Sequence, residues 1–67
     1  MSVSPYRLIK ILNERYELNH PTQMGYNYVR NNLIESFVAE DGSIQIEEEV
    51  AEAWLEKFAT KNKLVAK

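Results

Sequence analysis

Polar side chains that can read DNA bases recur at helical spacing in the middle of the chain. Gln23, Asn27 and Arg30 stand at positions i, i+4 and i+7, which share one face of an α-helix. Glutamine and asparagine can each make two hydrogen bonds to adenine, and arginine can make two to guanine. The spacing therefore predicts one polar helix face whose side chains are able to pair with the edges of bases. Two further side chains are expected beside this row, Tyr26 and Asn31.

Side chains that can hold DNA phosphates lie on both sides of this row in the sequence. Hydroxyl and cationic groups set the register of a protein on DNA without reading its base sequence. The candidates are Thr22, Arg7, Lys10, Ser43 and the lysines of residues 61–67. The alternative for the whole set is an ordinary solvated surface, because polar residues cover most exposed helix faces.

Residues that support catalysis or metal binding are scarce in this chain. It has no cysteine, one histidine and no glycine-rich phosphate loop. His20 precedes Pro21 and is expected to be a loop residue, since a single histidine cannot build a zinc site. Glu48, Glu49 and Glu52 can share a helix face, where they are expected to be solvated. We therefore predict a binding protein rather than an enzyme, with no cofactor and no metal.

The composition is that of one small globular domain. The chain has 67 residues, of which 45% are apolar and 27% are charged. It has no apolar run long enough to span a membrane, and residues 1–10 lack the apolar stretch of a secretory signal. These features predict a cytoplasmic, nucleoid-associated protein. A domain of this size without a disulfide has a thin stability margin, so self-association or a partner is the expected further source of stability.

Charge is distributed unevenly, although the net charge is only −2. Residues 1–34 carry four cations against two carboxylates, a net charge of +2. Residues 35–58 carry eight carboxylates against one lysine, a net charge of −7, and residues 61–67 add three lysines. Cationic side chains supply most of the affinity for DNA, so the first half and the basic tail are expected to face it. The acidic middle favours the alternative, a docking face for a basic protein partner.

A first helix is predicted over residues 5–16. Ser4 can cap its free N–H groups, and Pro5 at the first helical position loses no hydrogen bond. Apolar side chains recur in it at intervals of four, which gives one buried stripe. That stripe is expected to contain Leu8, Leu12 and Tyr16.

A second helix is predicted to carry the base-reading row. Thr22 can cap it, Asn31 ends it, and Asn32 suits the left-handed conformation that follows a helix. A glycine inside a helix costs about 1 kcal/mol relative to alanine, so Gly25 is expected to pack closely against the first helix. The inner face of the second helix is expected to contain Met24, Gly25, Tyr28 and Val29.

A hairpin and a final helix are predicted in the second half. Short β-type runs at residues 36–39 and 43–46 are joined through Asp41 and Gly42, which both tolerate positive φ. Three glutamates at residues 47–49 then open a helix that runs to about residue 61, because a helix N-terminus favours negative charge. Its apolar stripe is expected to contain Val50, Ala51, Trp54, Leu55 and Phe58.

Residues 21–34 resemble the second helix of excisionase-like and MerR-like winged helix-turn-helix domains. In that resemblance Tyr28 and Val29 are the core pair, Arg30 is the basic residue and Asn32 is the left-handed position. Residues 41–46 resemble the hairpin of that family, and residues 48–55 resemble its final helix. Two features depart from the family pattern: the first helix is longer, and the hairpin tip carries Glu40 and Asp41 where a basic residue is usual.

The resemblance implies a mainly α fold with a small β-hairpin, in the order helix, helix, two-stranded wing, helix. One domain would cover residues 1–67, with a core at about residues 4–60 and a basic, mobile tail at residues 61–67. The implied function is sequence-specific binding of double-stranded DNA in a bacterium or phage, as a transcriptional regulator or a recombination directionality factor. Self-association on DNA would use residues 64–66. The alternative is a non-enzymatic protein-interaction module that binds a basic partner through its acidic face.

Overall fold

The computed structural model of this chain describes residues 1–65. About half of the chain is helical, and three short strands form one antiparallel sheet. This confirms the prediction of a mainly α fold with a small hairpin. The elements in chain order are β1 (Ser2–Val3), α1 (Pro5–Tyr16), α2 (Gln23–Arg30), β2 (Phe37–Val38), β3 (Ile44–Glu47) and α3 (Glu48–Lys61).

Helix α1 has the bounds that the sequence predicts. The side-chain oxygen of Ser4 accepts a hydrogen bond from the backbone N–H of Arg7 at 3.1 Å, so this residue caps the helix. One face of α1 supplies a large part of the core. The residues that α1 buries are Pro5, Leu8, Ile9 and Leu12.

Helix α2 begins without the predicted cap. Thr22 has φ −63° and ψ −23°, which is already helical, and its side chain makes no capping hydrogen bond. The backbone provides the first bonds instead, from Met24 N–H to the Pro21 carbonyl at 3.0 Å and from Gly25 N–H to the Thr22 carbonyl at 3.2 Å. The prediction that Thr22 caps α2 is therefore wrong, because a tight backbone turn already satisfies these donors.

Gly25 lies where α2 crosses α1, as predicted. A Cβ atom at this position would collide with the carbonyl oxygen of Pro5, and it would lie 2.8 Å from the Pro5 carbonyl carbon and 3.1 Å from Ile9 Cγ1. Only glycine permits this approach of backbone to backbone. The contact fixes the position of α2 against α1.

Each of the three helices is followed, within two residues, by a residue in the left-handed conformation, and the next residue is a leucine in each case. The φ angles are 53° at Glu17, 58° at Asn32 and 56° at Lys63, which confirms the prediction for Asn32. In each case the N–H of the next residue donates to a carbonyl five residues earlier, at 2.8–2.9 Å, the pattern of a Schellman motif. The residues that donate these bonds are Leu18, Leu33 and Leu64.

The sheet contains one strand more than the predicted two-stranded hairpin. Strand β3 lies in its centre, between β2 and β1, and the register pairs Val38 with Ile44 and Val3 with Ile46. The strand β1 was not expected from the sequence, because two residues are too short to give a periodic pattern. Strand β2 is also shorter than the predicted run 36–39, whereas β3 has the predicted four residues and is shifted by one residue from 43–46.

The hairpin turn differs from the predicted one at Asp41. Gly42 has φ 87°, whereas Asp41 is not among the described residues with positive φ. The Gly42 N–H donates to the Ala39 carbonyl at 2.9 Å, and the Ala39 N–H donates to the Ser43 carbonyl at 2.8 Å. These bonds enclose a three-residue loop in which glycine alone takes the left-handed position.

Helix α3 follows β3 directly and covers the core. Glu47 is its N-cap residue, with no side-chain capping bond. At the other end Lys61 is the last residue of α3 and Leu64 is half-buried, whereas the sequence places both residues in a basic tail. The remaining tail residues Ala66 and Lys67 lie outside the described part of the chain.

The core lies between α1, β3 and α3. Within residues 1–65 it contains no buried polar or charged side chain. Tyr28 and Trp54 meet edge to face, with ring centroids 5.3 Å apart, and Trp54 stacks on Phe58 at 5.1 Å. These aromatic side chains pack against the core, which confirms the prediction for Tyr28 and Trp54. The buried cluster itself is Leu8, Ile9, Leu12, Ile34, Ile46, Ala51 and Leu55.

Candidate nucleic-acid interface

The outer face of α2 carries the side chains that the sequence predicts for base reading. Gln23, Asn27 and Arg30 are exposed, and their spacing of four and three residues places them in one row along this short helix. The inner face contains the buried Gly25, and Met24, Tyr28 and Val29 pack against the core. The helix therefore has one packed face and one polar face. Beside the row, Asn31 is exposed, whereas Thr22 and Tyr26 are half-buried.

The polar side chains in this row are not used by the fold. Gln23, Asn27 and Arg30 make no side-chain hydrogen bond and no ion pair with another residue in the range 1–65. Their donors and acceptors are therefore satisfied by water in the free protein. A ligand that replaces this water, such as the edge of a base pair, would not have to break an internal bond.

The cations of α1 fall into two groups. Arg7 and Lys10 are exposed on the side of α1 that faces away from the core, and they are available for phosphate. Arg15 makes two hydrogen bonds of 3.1 Å to the two carboxylate oxygens of Glu52 on α3. These hydrogen bonds raise the pKa of Arg15 and lower the pKa of Glu52. Arg15 is therefore a link between helices.

Ser43, a predicted site residue, is hydrogen-bonded within the hairpin. Its hydroxyl donates to Asp41 Oδ1 at 2.6 Å and accepts a hydrogen bond from Gln45 Nε2 at 3.2 Å. The Ser43 backbone N–H donates to the same carboxylate oxygen at 2.9 Å. The hydroxyl bond, followed by the backbone bond, lowers the pKa of Asp41. Ser43 thus stabilises the hairpin turn and has no free hydroxyl donor for phosphate in this state.

Two lysines next to α2 were partly missed by sequence reasoning. Lys57 and Lys61 line a shallow groove together with the aromatic rings of Tyr28, Trp54 and Phe58. Tyr28 belongs to α2, so the groove brings these α3 cations to the flank of α2. The sequence pattern places Lys61 in a basic tail, and Lys57 stands alone among the carboxylates of residues 35–58. Their spacing of four residues on α3 was the signal that could have identified them as a pair.

His20 has a structural role in the connector between α1 and α2. The side chain of Asn13 accepts a hydrogen bond from the backbone N–H of His20 at 3.0 Å and donates one to the backbone carbonyl of His20 at 2.9 Å. Its ring meets Phe58 edge to face, with centroids 5.8 Å apart. These contacts fix the connector that leads into α2, and they confirm that His20 is a loop residue.

Neither a metal cluster nor a membrane-spanning helix is found in residues 1–65. No group of three or more histidine, cysteine, aspartate or glutamate side chains is placed to hold a metal ion there. No helix in that range combines the length and the apolar character that crossing a bilayer requires. Comparisons with protein-family models, curated proteins and solved structures found no match to this chain. The candidate interface is therefore defined by the geometry of its own residues.

Proposed function

We propose that this chain is a sequence-specific DNA-binding protein with a winged helix-turn-helix fold, in which α2 is the recognition helix. The observation that carries this proposal is the row of Gln23, Asn27 and Arg30, which is exposed and whose side chains are bonded to no other residue in the range 1–65. The close contact of Gly25 with α1 supports it, because a recognition helix must be held rigidly from behind. The biological role would be that of a transcriptional regulator or a recombination directionality factor, without catalytic activity.

The dimensions of α2 fit this role. An α-helix with its side chains is about 10–12 Å in diameter, and the major groove of B-DNA is about 12 Å wide, so a helix can lie in it. The eight residues of α2 give a length of about 12 Å along the helix axis. A single helix of this length reads only a few base pairs, so high affinity needs contacts with phosphates or binding of several copies. Phosphate contacts would come from Arg7 and Lys10 on α1, from Thr22, and from Lys57 and Lys61 on the other flank of α2.

The hairpin would make no phosphate contact in this arrangement. Its tip carries the exposed carboxylates of Glu40 and Asp41, which repel phosphate. The hydroxyl of Ser43 is bonded to Asp41. Base reading by α2 and phosphate binding by α1 and α3 would therefore supply the affinity.

The first experiment is a selection of bound duplexes from a random DNA pool at about 100 mM salt, where phosphate contacts still contribute. The selected duplex is then titrated with Arg30→Ala and with Arg15→Ala, a matched control that removes the same charge from a half-buried side chain that is paired with Glu52. We expect Arg30→Ala to weaken binding by about 1–3 kcal/mol, since one bidentate base contact is lost. Arg15→Ala should leave affinity nearly unchanged. No enriched motif, or equal effects of the two variants, would contradict the assignment of α2.

A second function is favoured by the acidic surface at the start of α3. Glu47, Glu48 and Glu49 are exposed and make no ion pair within the described chain, and they would suit a basic protein partner. The substitutions Glu48→Gln and Glu49→Gln distinguish the two functions. They should leave DNA affinity unchanged or slightly raise it, whereas they should weaken the binding of a basic partner.

A further inference from the structure

A groove with acidic edges and some exposed apolar side chains lies where the α2–β2 connection meets the start of α3. One part is lined by Glu35, Ser36, Phe37, Glu47 and Val50, and the adjoining part by residues 32–36. The two parts share Glu35 and Ser36, so they form one continuous depression, which we call the acidic groove. Leu33 and Phe37 are 63% and 40% exposed there, so the depression offers apolar surface to a partner.

The carboxylates of the acidic groove have no bonding partner within the part of the chain that the structure describes. Neither Glu35 nor Glu47 forms a salt bridge or a side-chain hydrogen bond with another residue in the range 1–65. The groove lies in the segment of the chain with a net charge of −7. Its chemistry therefore fits a short aliphatic segment flanked by lysines or arginines.

The same chain contains a segment of this description at the other end of α3. Residues 61–65, which we call the basic segment, hold Lys61 and Lys63 next to Leu64 and Val65. Both lysines are exposed, and Val65 is 77% exposed. The Schellman motif at Lys63 fixes the backbone of this segment up to Leu64, so its charges are presented in one arrangement.

The acidic groove and the basic segment of one molecule cannot meet. Glu47 and Val50 lie at the first turn of α3, and the basic segment begins at its last residue, Lys61. Lys61 follows Glu47 by fourteen residues and Val50 by eleven, which at about 1.5 Å each gives about 21 Å and about 16 Å along a rigid helix. Complementary surfaces that are fixed at opposite ends of one helix can only pair between two molecules.

We propose that the basic segment of one copy binds in the acidic groove of another copy. The lysines would face Glu35 and Glu47, and Val65 would cover Leu33 and Phe37. Because the two surfaces differ, each copy keeps one free groove and one free segment, so the contact is heterologous and joins copies into an open row. This contact does not require DNA, and it goes beyond the proposed function.

The test measures self-association without DNA, by sedimentation equilibrium and by concentration-dependent amide NMR shifts from about 10 µM to about 1 mM in low salt. A groove-reversed variant carries Glu35→Lys and Glu47→Lys, and a segment-reversed variant carries Lys61→Glu and Lys63→Glu. Each should self-associate at least about tenfold more weakly than the native chain, because like charges then meet. A matched control, Glu40→Lys with Glu56→Lys, makes the same change in charge away from the groove and should associate at least as strongly as the native chain.

An equimolar mixture of the two reversed variants provides the decisive measurement. Each reversed surface then meets its complement on the other variant, so association should return to within about threefold of the native value. A native chain that stays monomeric to about 1 mM would overturn the proposal. The proposal would also be overturned if both reversed variants self-associated as strongly as the native chain, or if their mixture remained monomeric.

A milder variant guards against loss of folding in the charge reversals. Val65→Ser changes a side chain that is 77% exposed, so the free energy of unfolding should not change. It should still weaken self-association severalfold by removing the apolar part of the contact. Unchanged association in this variant would contradict an apolar contact in the groove. The DNA affinity of the Val65→Ser variant, measured at concentrations where the protein is monomeric, tests the proposed function separately.

Discussion

The outer face of α2 and the hairpin turn are both exposed and polar, but they differ in what their side chains are bonded to. Asn27 and Arg30 on α2 have no bonding partner within the described chain, whereas Asp41 and Ser43 in the turn are bonded to each other at 2.6 Å. Polar side chains that hold a turn together are not free for a ligand. The difference shows why α2, rather than the hairpin, is the better candidate for reading DNA.

Each of these two regions also depends on one glycine, for different physical reasons. Gly25 is required by the space between α2 and α1, where a Cβ atom would collide with backbone. Gly42 has open space around it and is required by its φ angle of 87°. Replacing each of them with alanine therefore separates the effect of position from the effect of local conformation.

The largest effect is expected from Gly25→Ala. The added methyl group meets the Pro5 carbonyl, which cannot move without displacing α1, so the free energy of unfolding should fall by about 3 kcal/mol or more. A domain of this size can lose its fold at that cost. Urea unfolding followed by far-UV circular dichroism measures it. A stable Gly25→Ala protein with native DNA affinity would mean that α2 is not held by this contact.

The second effect is a loss of base discrimination in Asn27→Ala. Since the side chain is exposed and bonded to nothing in the described chain, stability should be unchanged. Binding to the selected duplex should weaken by about 1–3 kcal/mol, and preference at one base pair should disappear. Competition titrations with single-base variants of the duplex measure this preference. Asn19→Ala, an exposed asparagine in the connector, is the matched control and should leave discrimination unchanged.

The third effect is a local destabilisation in Gly42→Ala. A non-glycine residue in the left-handed region costs about 1–2 kcal/mol, and the cost should appear in the free energy of unfolding. DNA affinity per folded molecule should stay the same if the hairpin makes no phosphate contact. Parallel chemical unfolding and DNA titration test both statements. A large loss of DNA affinity in a folded Gly42→Ala protein would restore the hairpin as part of the interface.

The smallest effect is the pH dependence of the link between Arg15 and Glu52. Arg15 lowers the pKa of Glu52, so the stabilisation is present above the unfolded pKa of about 4.3 and is lost as pH falls through the lowered value. Arginine stays protonated throughout this range. The side chains are 34% and 50% exposed, so solvent screening limits the contribution to about 0.2–1 kcal/mol.

Urea unfolding at several pH values between about 2 and 6 checks this last prediction. Glu52→Gln should remove that part of the acid sensitivity, while Glu56→Gln, an exposed glutamate on the same helix, should not. The hydrogen bonds of Ser43 lower the pKa of Asp41 in the same direction, so a shallow acid dependence remains in both variants. An identical pH dependence in Glu52→Gln and the native chain would show that the link contributes nothing to stability.

Local signals in the sequence predicted those parts of the fold that local physics determines. Ser4 before Pro5 identified the start of α1, and the cost of a helical glycine identified the contact of Gly25 with α1. Asn32 was recognised because a side chain that tolerates positive φ followed a helical pattern. The exposed row on α2 followed from spacing alone, although its binding to DNA stays a prediction.

The features that the sequence did not predict depend on distant or competing contacts. Strand β1 exists because Val3 pairs with Ile46, and no local pattern of two residues encodes that pairing. Thr22 has the residue type of a helix cap. The backbone N–H of Met24, which a capping side chain could bind, donates instead to the carbonyl of Pro21. The commitment of Ser43 to Asp41, and the placement of Lys57 beside Tyr28, also required the folded geometry.

Because β3 joins α3 directly, the chain should tolerate an inserted residue less well at this junction than at the hairpin tip. Glu47 is both the last residue of the strand and the N-cap of the helix, so no loop residue separates them. One residue inserted there would turn α3 by about 100° relative to the sheet, because a helical turn takes about 3.6 residues, and would rotate Ala51 and Leu55 out of the core. One residue inserted at the hairpin tip between Glu40 and Asp41 would only lengthen an exposed loop. Natural length variation in related chains is therefore expected at the hairpin tip and excluded at the junction.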